Sequence, residues 1–382
     1  MAKTLADLRP VYVVGVGWHP YQALSSASYV RLGLAAARQA LADAGVAWRD
    51  VETSYVGTAK IGMACGRPML SHLGENQSSI VHIENASASG SAAFRHACIE
   101  VASGMSDVGM VVGVDKPFRV DMASTQTGVE ELAADEILPF THFALLTNAY
   151  MTQFGASIED IARVAVKNHG NGAKNPNAQR QKARTLQDVL GGRPVSGQLT
   201  ALQCCPVGEG AAAVVIASED GIRRLGLDGS RAVRVAASAA ISEIAYPPGV
   251  GFDAELTRRV SEMALTQAGI RPGELDVVEL HDAFTVEELH YVEAMGICGP
   301  GQAVRLLEEG ALDIGGQVAV NPSGGLIAMG HPIGPTGVGQ IGEITMQLRG
   351  EAGARQQPGA KRGLAHMVGL GAVAYAHVLR RD

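Results

Sequence analysis

Four short segments of the sequence place one polar side chain among unusually small residues, which is the setting expected around a reacting group. They are residues 84–91 (ENASASGS), 281–284 (HDAF), 321–339 (NPSGGLIAMGHPIGPTGVG) and 366–371 (HMVGLG). Ser87 lies at the predicted start of a helix, where the partial positive charge of the helix end lowers the pKa of a nucleophile and stabilises an adjacent oxyanion. Serine at a helix start is more often a cap, so this segment alone does not establish a nucleophile.

Histidine supplies an acid–base group in the other three segments. His331 is flanked by glycines and prolines, and an imidazole held in a rigid turn is a good candidate general base. His281 follows a mostly apolar predicted strand. The glycines after His366 would expose backbone N–H groups to an oxyanion. Together the segments offer a nucleophile, a base and N–H donors.

The elements that must position these residues alternate between strands and helices, which indicates a layered α/β fold. In the first half of the chain the predicted strands and helices are residues 11–17, 28–44, 51–57, 87–103 and 108–114. Residues 116–199 are more polar and are predicted to form an inserted, mainly helical lobe. A similar order of strands and helices returns after residue 230, which suggests an internal duplication.

The segment around His331 resembles the signature of thiolases, NPxGGxxxxGHPxGxTG, which is long and specific. The HDAF segment and the terminal HxxGxG are similar to the sterol-carrier-protein-type branch, with its acetyl-CoA acetyltransferases and the large subunit of benzoylsuccinyl-CoA thiolase. Matches at residues 167–169 (KNH), 204–206 (CCP) and 208–212 (GEGAA) extend the resemblance over nearly the whole chain.

The resemblance implies the thiolase fold, an α/β fold in which two similar βαβαβαββ halves pack as five layers, αβαβα. The N-terminal half would cover residues 1–230, with the helical loop domain inserted at about 116–199, and the C-terminal half would cover residues 231–382. It also implies a homodimer and, in some relatives, a small partner subunit of the zinc-ribbon and OB-fold type. The implied substrate is an acyl-CoA, with coenzyme A as co-substrate and no permanently bound cofactor.

The resemblance further implies a catalytic role for each matching residue. The residue at position 87 takes up the acyl group, and His331 is the base that activates this nucleophile. His281 holds the first oxyanion hole with a water molecule. The backbone N–H groups of Ser87 and of the loop that contains Gly369 form the second, beside His366.

A second set of residues is predicted to bind substrate. His142, in the loop domain, lies where the acyl chain or the pantetheine would pass. Asn321 and Ser323 shape the turn before the base, and Phe284 and Met329 complete the set.

Two positions depart from the family pattern. The family motif CA[ST]GS reads SASGS from Ser87 onward. A serine hydroxyl must lose its proton during attack, whereas a cysteine with a pKa of about 8.5 forms a thiolate easily beside a histidine. Ala283 stands where the branch carries the cysteine that moves the proton at the substrate α-carbon, so His366 or His331 would have to serve.

Three explanations of Ser87 are open. In the first, the serine is an engineered replacement in a thiolase-type acyltransferase that cleaves or forms a C–C bond of a 3-oxoacyl-CoA. In the second, it is natural, in a lyase that cleaves a β-hydroxyacyl-CoA by a retro-aldol path without a covalent acyl-enzyme. In the third, the chain is a non-catalytic acyl-CoA- or lipid-binding subunit of a complex. The thiolase-type enzyme is the main prediction.

The composition argues against several other classes. The chain has 31 Lys and Arg against 38 Asp and Glu, a net charge of −7, so no basic field for nucleic acid or an anionic membrane is expected. No apolar run reaches about 18 residues and the first ten residues are polar, which predicts a cytoplasmic protein. The five cysteines lack metal-site spacing, and no metal, nicotinamide cofactor or nucleotide hydrolysis is predicted.

Overall fold

A computed structural model describes residues 3–116, 139–242, 252–370 and 373–381 of the chain. In chain order its strands are β1 (Val11–Gln22), β2 (Thr53–Gly57), β3 (Ser79–Ile83), β4 (Val108–Asp115), β5 (Pro194–Ser196), β6 (Leu199–Thr200), β7 (Glu209–Ser218), β8 (Val233–Ser242), β9 (Val277–Glu279), β10 (Ala319–Val320), β11 (Arg362–Gly369) and β12 (Val373–Arg380). Its helices are α1 (Tyr29–Ala44), α2 (Gly66–Leu70), α3 (Ser89–Ser103), α4 (Pro139–Phe154), α5 (Ile158–Gly172), α6 (Leu186–Leu190), α7 (Glu219–Leu225), α8 (Phe252–Ala268), α9 (Thr285–Ala294), α10 (Ala303–Glu308), α11 (Gly325–Ala328) and α12 (Thr336–Arg349).

Ten strands form a continuous mixed sheet in the order β10–β9–β11–β12–β8–β1–β7–β4–β2–β3. The sheet consists of two five-stranded halves with the same topology. In one half β2 is parallel to β3 and β4, and β7 is antiparallel to β4 and β1. In the other half β9 is parallel to β10 and β11, and β12 is antiparallel to β11 and β8. The duplication suggested by the sequence is therefore visible in the strand order.

The two halves meet along a short antiparallel ladder between β1 and β8, where Tyr12 pairs with Arg234 and Val13 with Val233. Helix α1 packs on β1 and β7, and α8 packs on β8 and β12. Helices α3 and α12 lie between the two half-sheets, because α12 contacts strands of both. The layer order is thus α1, one half-sheet, α3 with α12, the other half-sheet, and α8. The predicted α/β fold is confirmed.

The sequences of the helices match their layers. Helix α1 is amphipathic and is capped at both ends. The Ser28 side chain accepts the Arg31 N–H at its N-terminus, and Gly45, with φ of 68°, caps its C-terminus. Helix α3 is rich in small residues and is buried over most of its surface. Ala92, Ala93 and Ala97 are among its buried residues. A helix that is apolar and small on most sides fits a middle layer between two sheets.

The inserted lobe is described from residue 139 onward and contains α4, α5, α6 and the β5–β6 hairpin. Its mainly helical character agrees with the prediction for residues 116–199, of which residues 117–138 lie outside the described part. Strand β3 has no counterpart among the elements predicted for the first half of the chain. Within the described residues, no helix combines the length and the apolar character needed to cross a membrane.

Candidate active site

Ser87 lies in the tight turn that leads into α3, two residues before the first helical residue. The turn is closed by Ser89, whose hydroxyl accepts the Asn85 N–H at 2.8 Å and donates to the Ala86 carbonyl at 2.6 Å. Ala86 has a φ of 49°, a left-handed conformation that is uncommon for a residue with a side chain. Because Ser89 closes the turn, the Ser87 hydroxyl does not cap the helix and is directed elsewhere.

The Ser87 hydroxyl faces the candidate base. Its Oγ lies 3.0 Å from Nε2 of His331, and Nδ1 of the same ring lies 2.9 Å from the Thr336 Oγ1. Burial, and second the neighbouring His281, hold the pKa of His331 well below its usual range. A neutral ring whose Nδ1–H donates to Thr336 keeps a lone pair on Nε2, and that lone pair can accept the serine proton.

The internal duplication explains why these two groups meet. Ser87 precedes α3 and His331 precedes α12, which are the equivalent middle-layer helices of the two halves. The helix ends cross at glycines: a Cβ on Gly90 would stand 2.4 Å from the Gly334 carbonyl oxygen. Only a residue without a side chain permits this approach, which brings the two helix N-termini together.

The loop that carries His331 is held from outside the loop by Asp115, the last residue of β4. One carboxylate oxygen accepts the Gly334 N–H at 2.7 Å and the Ala59 N–H at 2.9 Å, and the other accepts the Thr58 hydroxyl at 2.7 Å. The residue before Gly334 is Ile333, a β-branched residue with φ of 67°. Asp115 therefore fixes a backbone that the loop sequence alone would not favour. Burial raises the pKa of Asp115 to about 6, against the opposing effect of its hydrogen bonds.

His281 forms the second imidazole of the site. Its ring centroid lies 5.4 Å from that of His331 at an angle of 88°. Its Nδ1 lies 2.9 Å from Oε1 of Glu287. Oε1 also accepts the Tyr291 hydroxyl at 3.0 Å, and Oε2 accepts the Phe284 N–H at 2.9 Å. The carboxylate that orients His281 is therefore itself fixed by two further donors.

Asn321 and Ser323 are buried and their side chains are engaged inside the protein. Asn321 accepts the Leu280 N–H at 2.9 Å and donates to Glu288 at 2.9 Å. The Ser323 hydroxyl donates to Glu279 at 2.6 Å. These contacts fix the turn before α11 and leave neither side chain directed at Ser87. Substrate binding by the two residues stays a prediction.

Phe284, His142 and Met329 lie in the surroundings of the site. Phe284 stacks on Phe143 of the lobe, with ring centroids 4.4 Å apart, and the His142 ring lies 5.0 Å from that of Phe143. Met329 is almost completely buried and its sulfur accepts an Asn175 N–H at 3.1 Å. The lobe thus contacts the HDAF segment through the Phe143–Phe284 pair, and His142 lies beside Phe143.

His366 and Gly369 are both on β11 but face different layers. His366 is completely buried, its Nε2 lies 3.1 Å from the Thr257 hydroxyl on α8, and burial lowers its pKa to about 3. Gly369 approaches the turn that carries Ser87, since a Cβ there would stand 2.4 Å from the Asn85 carbonyl oxygen. The structure therefore brings Ser87, His331, His281 and Gly369 together, and His366 contacts the outer layer.

Three supporting residues have no place in the sequence-based prediction: Thr336, Glu287 and Asp115. Glu287 lies six residues after His281, and its position at a helix start is typical of an acidic residue that complements the helix dipole. Asp115 ends a buried strand, where an acidic residue could have been noticed as unusual. Its contact with Gly334 joins residues 219 positions apart. In the described ranges, no cluster of His, Cys, Asp and Glu has the geometry of a metal site.

Comparison with known proteins adds a family relation. Residues 11–189 match the family model described as "Thiolase, N-terminal domain", and residues 251–381 match "Thiolase C-terminal domain-like". The chain is 37% identical to sterol carrier protein 2 of Gallus gallus, with 95% of this chain and 70% of that protein covered. It is 33% identical to an acetyl-CoA acetyltransferase of Methanothermobacter thermautotrophicus, covering 98% and 100%. A solved structure described as "Ltp2-ChsH2(DUF35) aldolase" matches at a TM-score of 0.85 and 23% identity over 98% of both chains.

Proposed function

The chain belongs to the thiolase family, as its two family-model matches and its relatives show, and we propose that it breaks or forms the C–C bond β to a coenzyme A thioester by acyl transfer to Ser87. The 3.0 Å contact between the Ser87 hydroxyl and Nε2 of His331 carries the proposal. It joins a hydroxyl nucleophile to a neutral base at the N-terminus of a buried helix. That arrangement is what an acyl-enzyme mechanism requires.

In the cleavage direction the first half-reaction forms an acyl ester on Ser87. His331 takes the hydroxyl proton as Oγ attacks the C3 carbonyl of a 3-oxoacyl-CoA. The C2–C3 bond then breaks, its electron pair stays on C2 as the enolate of the shorter acyl-CoA, and this enolate takes up a proton and leaves. The positive end of α3 stabilises the oxyanion on the former C3 carbonyl, together with backbone N–H groups of the turn beside Gly369.

The second half-reaction returns the acyl group to sulfur. The thiol of coenzyme A loses its proton and attacks the ester carbonyl, and Ser87 leaves with the proton that His331 held. The sum is one 3-oxoacyl-CoA and one coenzyme A consumed, and two acyl-CoA molecules formed. Thr336 supports both steps by keeping Nδ1 of His331 occupied, so that Nε2 remains the nitrogen that exchanges the proton.

Serine in place of cysteine makes each half-reaction more demanding. A hydroxyl is far less acidic than a thiol, so its proton must be removed during attack. The depressed pKa of His331 keeps the ring unprotonated at neutral pH, but it also makes the ring a weaker base. We expect slow turnover compared with the same site carrying a thiol.

A retro-aldol cleavage of a 3-hydroxyacyl-CoA is the second candidate. The observation that favours it is that the side chain facing His331 is a hydroxyl and that position 283 is alanine. A retro-aldol reaction needs no thiol at either position. In that reaction His331 removes the proton of the substrate hydroxyl and the C2–C3 bond breaks, so that an aldehyde or ketone leaves. The electron pair of the broken bond stays on C2 as the enolate of the shorter acyl-CoA, which takes up a proton. The similarity in fold to a protein described as an aldolase is compatible with this reaction.

One experiment separates the two reactions. Acetoacetyl-CoA with coenzyme A, and separately 3-hydroxybutanoyl-CoA, are incubated with the protein and with Ser87→Ala and Ser87→Cys. Acyl transfer predicts an acetyl adduct on Ser87 by intact-protein mass spectrometry, no adduct with Ser87→Ala, and faster thiolysis with Ser87→Cys. Cleavage of the hydroxy compound by Ser87→Ala, without an adduct, would instead support the retro-aldol reaction and end the acyl-transfer proposal.

The exposed strand β3 supports the proposal of a homodimer. It is the last strand on its side of the sheet, so one edge of its backbone is open, and its Val81 side chain is 38% exposed. An open edge of this kind readily pairs with a second strand. Light scattering checks the proposal: a dimer is expected for the protein and a monomer for Val81→Lys, while a monomeric wild type would refute it.

A small partner subunit is the remaining part of the proposal. The aldolase of similar fold is described by two protein names, and the resemblance implies a zinc-ribbon and OB-fold subunit in some relatives. The measurement is turnover of acetoacetyl-CoA with and without a purified protein of that type from the same source. Unchanged turnover and the absence of a complex in light scattering would contradict it.

A further inference from the structure

The reaction proposed above needs a group that moves a proton at C2 of the substrate, and the methyl side chain of Ala283 cannot do so. Three imidazoles, those of His331, His366 and His281, are the candidates for this proton transfer. Both ring nitrogens of His331 are occupied, one by Ser87 and the other by Thr336. His366 is completely buried and its Nε2 faces Thr257. The Nδ1 of His366 has no partner among the described residues but is itself buried. His331 is therefore engaged, and His366 is enclosed, before a substrate enters.

His281 differs from both, because only its Nδ1 forms a hydrogen bond within the described ranges and the residue is 7% exposed whereas His366 is completely buried. Nδ1 lies 2.9 Å from the Glu287 carboxylate, and Nε2 forms no hydrogen bond with any residue in the described part of the chain. A carboxylate only accepts, so Nδ1 carries the hydrogen and Nε2 of the neutral ring has the lone pair. The tautomer set by Glu287 makes Nε2 a proton acceptor.

The same carboxylate compensates the charge that appears when Nε2 takes up a proton. Glu287 is itself almost completely buried and is fixed by the Tyr291 hydroxyl and the Phe284 N–H. Its neighbour Glu288 serves a separate cluster, with Lys167 at 3.0 Å and Asn168 at 2.9 Å. Glu287 is therefore the carboxylate directed at His281, and its position does not depend on the substrate.

The spacing of the two rings fits neighbouring carbon atoms. His281 and His331 stand edge to face with centroids 5.4 Å apart. C2 and C3 of an acyl-CoA are joined by one bond of about 1.5 Å. A substrate whose C3 lies at Ser87, beside His331, thus presents C2 within reach of the second ring.

We propose that the His281–Glu287 pair moves the proton at C2 of the acyl-CoA, a step that rests on the proposed function of the site. In cleavage the His281 imidazolium gives its Nε2 proton to C2 of the enolate, which becomes the CH₃ or CH₂ of the leaving acyl-CoA. The neutral ring then takes the thiol proton of coenzyme A, which restores the imidazolium. In condensation the same ring removes the C2 proton. His281 is a catalytic residue and Glu287 a positioning residue.

The test isolates the proton step from the acyl step. Ser87→Ala is incubated with acetyl-CoA in D₂O, and the loss of the methyl proton signal is followed by NMR. Exchange is expected to continue in this variant, because no ester with Ser87 is involved. Adding His281→Asn is expected to slow it at least about 100-fold, and added imidazole is expected to restore part of the rate.

Glu287→Gln and Glu293→Gln form a matched pair on α9. The Glu293 carboxylate also accepts a tyrosine hydroxyl and a backbone N–H, from Tyr150 at 2.7 Å and from Ala303 at 3.1 Å, but neither of these two partners is a histidine. Glu287→Gln keeps an acceptor for Nδ1 and loses the charge, so exchange should fall about 10-fold. Glu293→Gln should leave exchange unchanged.

Three results would overturn the proposal: exchange that survives His281→Asn, exchange that is lost with His366→Asn instead, and no exchange in any variant. If His281→Asn does not fold, as judged by circular dichroism, the isosteric Glu287→Gln gives the decision. Failure of Ser87 to form an adduct is a separate result, since exchange in Ser87→Ala does not require one.

Discussion

His331 and His366 are two histidines with glycines near them and strongly lowered pKa values, yet they have different surroundings. His331 lies in a loop whose backbone is irregular, with φ of 109° at Gly330 and 67° at Ile333. His366 lies in the middle of a regular strand between β9 and β12. The type of residue and the direction of the pKa shift do not separate them, but the backbone does.

The alternation of β11 decides which layer His366 faces. Side chains of successive strand residues point to opposite faces of a sheet. Met367 belongs to the cluster with Ala88 and Ala92 at the start of α3, whereas Val368 belongs to the cluster with Leu256 of α8. His366, two residues before Val368, therefore faces α8. The irregular loop of His331 is free of this alternation and can direct its ring at Ser87.

The largest expected effect separates the two histidines by activity. His331→Asn should lower kcat for acetoacetyl-CoA thiolysis by about 10²–10⁴-fold, because Ser87 loses the group that removes its proton. His366→Asn should lower kcat less than about 10-fold, because its partner Thr257 lies in the outer layer. Steady-state kinetics of both variants gives the comparison. Equal losses in kcat would mean that His366 takes part in the chemistry, although its position on β11 directs it at the outer layer.

The contrast between loop and strand also shows how far the sequence leads. The resemblance of the segment around His331 to thiolases and the alternation of predicted strands and helices were enough to predict the fold. The Ser87–His331 contact lies between segments that the sequence singles out. The face of His366 depends on the residue at which β11 begins and on its partners, and a motif does not contain that information. Asp115 and Glu287 act through contacts formed only after folding.

The second prediction concerns Asp115, which holds the His331 loop from β4. Asp115→Asn replaces an acceptor-only carboxylate by an amide. Its NH₂ group would face the N–H groups of Gly334 and Ala59 in one orientation and the N–H of Lys60 in the other. We expect kcat to fall by about 10–100-fold with little change in KM, because a small displacement of the base misaligns it with Ser87. A loss confined to KM would show that the loop position does not govern the base.

A smaller effect is expected from the other contact of the His331 ring. Thr336→Val removes the oxygen that lies 2.9 Å from Nδ1, so the ring loses its preferred tautomer but stays in place. A loss of about 10-fold in kcat is expected, and Thr336→Ser should restore most of it. If serine and valine behave alike, the hydroxyl is not the group that matters.

The matching change on the strand side should affect stability instead of activity. Thr257→Val leaves Nε2 of His366 buried without its partner, which costs about 1–3 kcal/mol of the free energy of unfolding. Activity should stay within about 2-fold. Urea unfolding and kinetics on the same preparation test this. A large loss of activity at unchanged stability would place Thr257 and His366 in the reaction after all.

The dependence of stability on pH should have opposite signs for the two regions. Asp115 has a pKa of about 6 in the folded chain against an ordinary 3.8, so the stability it contributes is present below pH 3.8 and is lost as the pH rises through 6. His366 has a pKa of about 3 against 6.5, so its contribution is present above pH 6.5 and is lost as the pH falls through 3.

Between pH 4 and 6 the two groups therefore oppose each other, each by up to about 1.4 kcal/mol per pH unit. His366→Asn should make the rise of the free energy of unfolding with pH shallower, and Asp115→Asn should make it steeper. Urea unfolding at several pH values measures both slopes. An unchanged slope in either variant would show that its group ionises in the folded chain as it does in the unfolded one, and the contrast between loop and strand would then not extend to protonation.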